Sequence, residues 1–214
     1  MKQNRLPVII IGGGGHAKVV ADVLTLQGFH ILGFTDIDET CHSLTSAIPY
    51  LGDDSIINPY RPEDILLANG LGSTKTTIAR RKIYDVFSEQ GYKFACCVHP
   101  SAVIAIDVTI DEGAQIMAGV VIQPGSMIGR NVIINTRASI DHDCIIGDHV
   151  HVAPGATLSG GVQIASGAHV GTGATVIQGI FIGEDSIIGA GSVVLEDVAA
   201  DSMVVGVPAR EVLS

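Results

Sequence analysis

The hydrophobic pattern of residues 98–194 repeats every six residues. An aliphatic residue occupies every sixth position without interruption: Val98, Ile104, Ile110, Ile116, Ile122, Ile128, Ile134, Ile140, Ile146, Val152, Leu158, Ile164, Val170, Val176, Ile182, Ile188 and Val194. Small residues and valine recur two positions earlier, from Cys96 and Ala102 to Ser192. A period of six fits neither the period of about 3.6 of an α-helix nor that of about 2 of a strand. It is typical of a parallel β-helix, in which each hexapeptide forms one short strand and one corner.

Stacking of equivalent positions would bury each aliphatic row between its neighbours. Glycine follows the aliphatic residue in five hexapeptides, at Gly129, Gly147, Gly171, Gly183 and Gly189. We expect corners there that need a positive φ or a close approach of neighbouring backbone. Cys96 and Cys144 fall on the inward small positions, which predicts core residues in a reducing cytoplasm rather than nucleophiles or metal ligands.

The first part of the chain has a different pattern, in which apolar runs alternate with helical stretches. It predicts strands over 6–11, 30–35 and 65–68, and helices over 16–27 and 74–90, the second of them capped by Ser73 or Thr74. Such alternation starts a doubly wound α/β unit. We therefore expect an α/β half-Rossmann domain over residues 1–93, followed by an all-β parallel β-helix over residues 94–214.

A glycine-rich turn lies between the first predicted strand and helix. Gly12, Gly14 and Ala17 satisfy the pattern G-x-G-x-x-G/A, which directs backbone N–H groups and a helix N-terminus toward a pyrophosphate. Asp36 ends the next strand, where dinucleotide-binding folds place a ribose-binding acid. About 93 residues supply only half of such a fold, so both NAD and a single nucleoside diphosphate remain open. An empty turn is disfavoured, because four glycines lose much chain entropy on ordering.

Charge and composition limit the classes of partner that the protein could bind. The net charge of −10 argues against nucleic acid. No apolar run approaches the length of a membrane span, and the polar residues 1–7 do not resemble a signal peptide. We therefore expect a cytoplasmic protein without membrane contact. The cysteine spacing predicts no metal site.

The predicted β-helix is poor in positive charge. Residues 94–214 contain three arginines, Arg130, Arg137 and Arg210, against twelve acidic residues. An anionic cofactor on this domain would depend on backbone N–H groups, apolar contacts and at most a few arginines.

The polar stretch Asp-His-Asp at 141–143 interrupts the repeat. A carboxylate that accepts a hydrogen bond from one imidazole nitrogen fixes the tautomer and raises the basicity of the other nitrogen. This arrangement suits His142 to be a general base. His149 and His169 have no such setting, and we expect them to be structural.

Four segments carry a family resemblance: IIIGGGGHAKVVADVL, CVHPSAVIA, INTRASIDHDCIIGDHVHVAPGATLSGGV and VVGVPAREV. They resemble the hexapeptide-repeat acetyltransferases of nucleotide-linked amino sugars, including those of bacillosamine and perosamine biosynthesis, with sialic acid O-acetyltransferases as a more distant branch. The resemblance spans essentially the whole chain. It implies a left-handed β-helix with three hexapeptides per coil, a homotrimer with active sites between subunits, acetyl-CoA as donor and a nucleotide-linked amino sugar as acceptor.

The resemblance also assigns residues of the β-helix. It makes His142 the catalytic base and Asp143 the acid that orients it. It places His151 near the acetyl carbonyl, with the backbone N–H of Gly160 facing that carbonyl. The tail that contains Arg210 closes the end of the prism in relatives, which favours Arg210 as the arginine that contacts the coenzyme. His151 follows His142 by nine residues, about half a coil, so the two histidines should lie on different faces and could meet only across an interface between chains.

In the N-terminal domain the resemblance assigns substrate binding. The residues that match the sugar-nucleotide site are Gly12, Gly13, Gly14, Gly15, His16 and Lys18 for the diphosphate and Asp36 for the nucleoside.

The predicted reaction is direct N-acetylation of the sugar through a ternary complex. One alternative is O-acetylation of a sugar hydroxyl, such as that of sialic acid. The other is a non-catalytic scaffold that senses a nucleotide, which the Asp-His-Asp stretch disfavours.

Overall fold

In the computed structural model, which describes residues 5–38, 44–45, 47–73 and 76–212, the chain begins with a five-stranded parallel sheet. The elements of this domain are β1 (Val8–Ile11), α1 (Gly15–Leu26), β2 (Ile31–Thr35), β3 (Tyr50–Gly52), a 3₁₀ turn (Asp54–Ile57), β4 (Leu66–Asn69), α2 (Ile78–Glu89) and β5 (Lys93–Phe94). The strand order is β3-β2-β1-β4-β5. Strands β2 and β4 therefore lie on opposite sides of β1. At such a reversal of strand order, the ends of β1 and β4 border a crevice where folds of this kind bind ligands.

Strand β1 explains the two layers of this domain. Val8 and Ile10 pack on the α1 side, whereas Ile9 and Ile11 pack on the α2 side. All four side chains are at most 1% exposed. A strand that is buried on both faces needs an uninterrupted apolar run, which is the pattern that predicted it.

Two predicted details of this domain are wrong. Helix α2 begins at Ile78 with Thr77 as its N-cap residue, and not at residue 74. Ser73 does not cap it, because its hydroxyl is hydrogen-bonded to His151; Thr74 lies outside the described residues. The Thr77 hydroxyl instead donates to the Gly167 carbonyl oxygen of the second domain, at 2.8 Å. Tertiary contacts therefore determine where the helix starts.

The second domain is a solenoid of seventeen two-residue strands. They are β6 (Cys97–Val98), β7 (Val103–Ile104), β8 (Thr109–Ile110), β9 (Gln115–Ile116), β10 (Val121–Ile122), β11 (Met127–Ile128), β12 (Ile133–Ile134), β13 (Ser139–Ile140), β14 (Ile145–Ile146), β15 (His151–Val152), β16 (Thr157–Leu158), β17 (Gln163–Ile164), β18 (His169–Val170), β19 (Thr175–Val176), β20 (Phe181–Ile182), β21 (Ile187–Ile188) and β22 (Val193–Val194). Each hexapeptide aliphatic residue is the second residue of its strand, as the period predicts.

The strands form the three faces of a prism. Strands β7, β10, β13, β16, β19 and β22 make a six-stranded sheet, and β8, β11, β14, β17 and β20 make a five-stranded sheet. The third sheet has eight strands: β6, β9, β12, β15, β18 and β21, followed by β23 (Met203–Val205) and β24 (Arg210–Glu211). Paired residues lie 18 positions apart, as in Val121 with Ser139. Three hexapeptides per coil are thereby confirmed.

The corners decide between the two reasons expected for glycine after the aliphatic residue. The five glycines that follow the aliphatic residues do not have a positive φ. Positive φ falls two residues later, at glycines such as Gly173 and at Asn131, Arg137, Asp143, His149 and Asp185. The expected close approach is confirmed, because a Cβ at Gly171 would lie 2.6 Å from both Ala190 N and Ile188 O.

The N-terminal domain packs on the eight-stranded sheet. Arg81 and Asp185 form an ion pair at 3.2 Å, and the Tyr84 ring lies edge-on to His149. Met117 of the solenoid belongs to the apolar cluster around α1. The predicted boundary after residue 93 falls inside β5, which still belongs to the first sheet. Of the helices that the structure describes, none is long and apolar enough to cross a membrane.

We predict that Gly171→Ala destabilises the protein more than Gly173→Ala. The first substitution forces a methyl group against the next coil and should cost about 3 kcal/mol or more. The second meets no atom within 4 Å but has a φ of +67°, which should cost about 1 kcal/mol. Denaturant midpoints of the two variants provide the measurement. An equal or larger effect of Gly173→Ala would contradict this view of the corners.

Candidate active site

A cavity of about 780 Å³ lies at the crevice between the ends of β1 and β4. The glycine turn, two acidic residues after β2 and β3, and the loop between β4 and α2 line it from the N-terminal domain. Asn135 and His151 line it from the solenoid. We call this space the interdomain cavity, because both domains contribute to its wall.

The glycine turn is built to face a ligand. Gly12 has a φ of 97°, which favours glycine, and the Gly13 N–H donates to Asp36 Oδ2 at 2.6 Å. Gly14 is the N-cap residue of α1. A Cβ at Gly14 or Gly15 would meet no atom within 4 Å. The start of α1 therefore opens onto free space, as a phosphate-binding turn requires.

The cavity wall carries little positive charge. Among the described lining residues there is no lysine or arginine, whereas Asp36 and Asp54 are both present. Lys18 is exposed on α1 and is not a lining residue. A bound diphosphate would therefore rely on backbone N–H groups and the N-terminus of α1.

His16 joins the turn to the solenoid. Its Nε2 lies 2.7 Å from Gln115 Oε1, and Gln115 Nε2 donates to the Asn69 carbonyl oxygen at 2.7 Å. This second bond fixes the Gln115 amide, so His16 Nε2–H is the donor of the first. Burial and the charge of Arg80 lower the His16 pKa to about 4. His16 is therefore neutral and adds no cation to the cavity.

His151 lies in the same cavity, on β15. Its Nδ1 is 2.6 Å from Ser73 Oγ, and its Nε2 is 3.1 Å from Asn135 Nδ2. The His169 ring packs edge-on against it. Burial, followed by the neighbouring His169, lowers the His151 pKa to about 2. Both ring nitrogens thus have partners inside the chain, on a ring that stays neutral.

Arg80 supports the cavity wall from behind. Its guanidinium is buried and donates to the carbonyl oxygens of Asn69 at 3.0 Å and Leu71 at 2.8 Å. It also reaches the Asn131 carbonyl oxygen in a solenoid corner, at 3.4 Å. Burial lowers the Arg80 pKa to about 9. This side chain holds the loop after β4 against the solenoid.

A second cluster, the His142 corner, consists of residues 141–143 and Gly160. Asp143 has a φ of 59°, and its Oδ2 lies 2.8 Å from His142 Nδ1. This hydrogen bond, with the charge of Asp141, raises the His142 pKa. The His142 side chain is 62% exposed. The geometry leaves Nε2 as the basic nitrogen, accessible from outside.

Gly160 completes this corner. A Cβ at Gly160 would lie 2.5 Å from both Cε1 and Nε2 of His142, so only glycine leaves room for the ring. In the described part of the chain, the Gly160 N–H finds no hydrogen-bond acceptor. The structure thus brings together a basic nitrogen and a free N–H donor. Cys144 lies behind them in the core, where burial raises its thiol pKa.

One chain does not bring the two clusters together. The His142 corner joins β13 of the six-stranded sheet to β14 of the five-stranded sheet. The interdomain cavity lies on the remaining face, which contains β15. The predicted placement of His142 and His151 on different faces is therefore confirmed.

The solenoid arginines differ in whether their side chains are paired within the chain or exposed to a ligand. Arg130 is paired with Asp148 at 2.6 Å. Arg210 is exposed on β24, at the end of the eight-stranded sheet, and donates to the adjacent Ala209 carbonyl oxygen. Arg137 is exposed at a corner. Among the described residues, no three His, Cys, Asp or Glu side chains are grouped so that they could hold a metal ion.

Gln115, Asn135, Ser73 and Arg80 were not predicted as site residues. The spacing offers a signal for the first, because Gln115 lies 36 residues, or two coils, before His151. Both precede an inward aliphatic residue and therefore point outward from one face. Ser73 and Arg80 belong to the other domain, and only the packing of the two domains brings them here.

Two family models match the chain. Residues 7–87 match the PglD N-terminal domain, and residues 125–160 match the bacterial transferase hexapeptide (six repeats). A comparison with curated protein sequences finds no match.

Solved structures are similar over nearly the whole chain. A mutant of perosamine N-acetyltransferase from Caulobacter crescentus, in complex with CoA and GDP-perosamine, is 38% identical with a TM-score of 0.91, and 97% of each chain is covered. The acetyltransferase domain of PglB from Neisseria gonorrhoeae FA1090, in complex with acetyl coenzyme A, is 31% identical with a TM-score of 0.88, covering 98% of this chain and all 100% of that one. WeeI from Acinetobacter baumannii AYE is 26% identical with a TM-score of 0.79, with coverages of 97% and 100%. Together with the strand topology, these matches confirm the predicted half-Rossmann domain and left-handed β-helix.

We predict that Asp143→Asn lowers the His142 pKa. The hydrogen bond that His142 Nδ1–H donates to Asp143 is the main cause of the raised value, and asparagine tolerates the positive φ at this corner. Titration of the His142 Cε1–H signal by NMR measures the shift. Asp148→Asn, in the next corner, is the control and should leave the signal unmoved. An unchanged pKa in Asp143→Asn would exclude Asp143 as the residue that tunes the ring.

Proposed function

Because the chain belongs to the family of hexapeptide-repeat sugar-nucleotide acetyltransferases, we propose that it moves acetyl from acetyl-CoA to the amino group of a nucleotide-linked 4-amino-deoxysugar. The observation that carries this proposal is that the chain contains two clusters with complementary chemistry. The interdomain cavity offers a diphosphate-binding turn, and the His142 corner offers a basic nitrogen beside a free N–H donor.

The working site would form between two copies of the chain. The cavity and the His142 corner lie on different faces of one prism, so we propose that a substrate anchored in the cavity meets His142 of a neighbouring chain. A ring of three copies would place the corner of one subunit beside the cavity of the next. We therefore propose a homotrimer with its active sites at the subunit interfaces.

The sugar nucleotide would bind in the cavity by its nucleotide part. The diphosphate would accept hydrogen bonds from the N–H groups of Gly14 and Gly15 at the start of α1, because the N–H groups of Gly12 and Gly13 already donate to the Thr35 carbonyl oxygen and to Asp36. Asp36 would lie beside the nucleoside, because it directly follows β2, the strand next to β1. The sugar would then extend toward the solenoid and the neighbouring subunit.

His142 would act as the general base. As the amine nitrogen attacks the thioester carbonyl carbon, Nε2 would take the proton that the amine loses. The carbonyl π-electrons move onto oxygen, and the Gly160 N–H would stabilise this oxyanion. Collapse of the intermediate breaks the C–S bond and releases the CoA thiolate, which takes up a proton. Positioning would supply much of the acceleration, because a thioester is already reactive toward amines.

Acetyl-CoA would lie along the solenoid. Its pantetheine arm would contact apolar residues, and its charged end would meet corner N–H groups and Arg210. His151 has no free ring nitrogen for the predicted contact with the acetyl carbonyl, because both nitrogens are hydrogen-bonded within the chain. We propose instead that His151 acts inside the cavity.

His142→Ala should lower kcat by about 10²–10⁴-fold, the usual contribution of a general base. Release of free thiol from acetyl-CoA, with a panel of UDP-, GDP- and dTDP-linked 4-amino sugars and with sialic acid, measures it. His30→Ala, which removes an exposed histidine of the N-terminal domain, is the control. Nearly full kcat in His142→Ala would remove this residue from the mechanism, and turnover of sialic acid alone would favour O-acetylation.

Gly14→Val should raise KM for the sugar nucleotide far more than KM for acetyl-CoA. Gly14 lines the cavity, and a Cβ there would meet no atom within 4 Å, so the fold should persist while the diphosphate loses its approach to the backbone. Steady-state kinetics with each substrate varied in turn separate the two constants. Equal changes in both would show that the substrates are not divided between the domains.

A further inference from the structure

A chain of three polar side chains runs from the solenoid into the interdomain cavity. Its first member is Asn135, whose Oδ1 accepts the Thr136 N–H at 2.8 Å. This bond fixes the orientation of the amide, so its NH₂ group faces His151 Nε2 at 3.1 Å. An amide NH₂ can only donate. Nε2 of His151 is therefore a hydrogen-bond acceptor.

The acceptor role of Nε2 determines the tautomer. His151 is neutral, since burial depresses its pKa, and a neutral imidazole carries one proton. That proton must lie on Nδ1, which is 2.6 Å from Ser73 Oγ. His151 Nδ1–H thus donates to Ser73, and the serine oxygen is an acceptor in this bond.

The proton of Ser73 must then point elsewhere. In the described part of the chain no acceptor lies within hydrogen-bonding reach of it, and Ser73 lines the cavity. Ser73 sits with Asn135 and His151 at the solenoid side of the cavity. The glycine turn and Asp36 form the N-terminal side. A hydroxyl donor is therefore presented where the sugar would lie, away from the nucleotide.

We propose that Ser73 Oγ–H donates a hydrogen bond to an oxygen of the acceptor sugar, with its donor polarity imposed by Asn135 through His151. This proposal rests on the proposed function. A sugar hydroxyl or ring oxygen can accept such a bond, whereas the ammonium form, in which an aliphatic amino sugar binds before it loses a proton and reacts, can only donate. The site thus distinguishes the oxygen-bearing edge of the sugar from its amino group. It directs the amino group away from Ser73, toward the neighbouring subunit that would supply His142. Ser73 binds the sugar, and Asn135 and His151 are positioning residues.

Calorimetric titration of Ser73→Ala tests the contact, with Ser73→Thr as the variant that keeps the hydroxyl. The probes are the UDP-, GDP- and dTDP-linked 4-amino-4,6-dideoxyhexoses and the parent nucleoside diphosphates. Ser73→Ala should weaken binding of the sugar nucleotide about three- to tenfold, which corresponds to one neutral hydrogen bond. It should leave the nucleoside diphosphate unaffected, and Ser73→Thr should restore binding. Equal weakening of both probes, or of neither, would overturn the proposal.

The ¹⁵N spectrum of the wild-type protein tests the polarity independently. His151, assigned by its absence in His151→Phe, should show a protonated Nδ1 and an unprotonated Nε2 at neutral pH. A protonated Nε2 would reverse the hydrogen-bond chain and overturn the proposal. If the wild type binds none of the sugar nucleotides, the proposed function itself fails, and this inference fails with it. If it binds them and Ser73→Ala matches the wild type, only this inference fails.

Discussion

Ile140 stacks between Ile122 and Leu158 inside the solenoid, each 18 residues from the next. The same stacking recurs along all three faces and buries the hexapeptide aliphatic residues in one continuous core. A shift of a single residue would turn this row outward and lose the burial that stabilises the coil. The register is therefore strongly constrained, and with it the face on which every outward side chain lies.

The positions of the functional residues follow from this constraint. His151 immediately precedes an inward valine on β15 and points outward into the interdomain cavity. His142 lies two residues beyond the inward Ile140, at a corner on the opposite edge of the prism. The two side chains therefore do not share a pocket within one chain. The solenoid thus separates the two clusters, and we propose that a second copy completes an active site containing both the cavity and the basic histidine.

The sequence was most informative where the period was strict. Seventeen aliphatic positions in register predicted the strands, and alternating apolar and helical runs predicted the half-Rossmann domain. The corners were less predictable, because positive φ is adopted there by Asp143 and His149 as well as by glycine. Directly after the aliphatic residues, glycine is needed because the next coil leaves no room for a Cβ. This crowding can be seen only in the stacked structure.

The candidate site, too, has one part that the sequence predicted and one part that it did not. The glycine turn, Asp36 and the Asp-His-Asp stretch are local patterns, and each was identified from neighbouring residues. Ser73 and Arg80 act across the domain interface, against the solenoid residues His151 and Asn131. No local pattern reports such contacts, and Ser73 was mistaken for a helix cap because serine is common there.

Mixed trimers test the central claim, a site shared between chains, most directly. Co-expression of differently tagged His142→Ala and Gly14→Val chains, followed by purification on both tags, yields assemblies that contain both. At sugar-nucleotide concentrations far below the raised KM of Gly14→Val, each chain alone should be nearly inactive. In a mixed trimer of either composition, one of the three interfaces combines an intact cavity with an intact His142, so activity should return to about one third of the wild type. Mixed assemblies no more active than either parent would contradict the account and place the whole site within one chain.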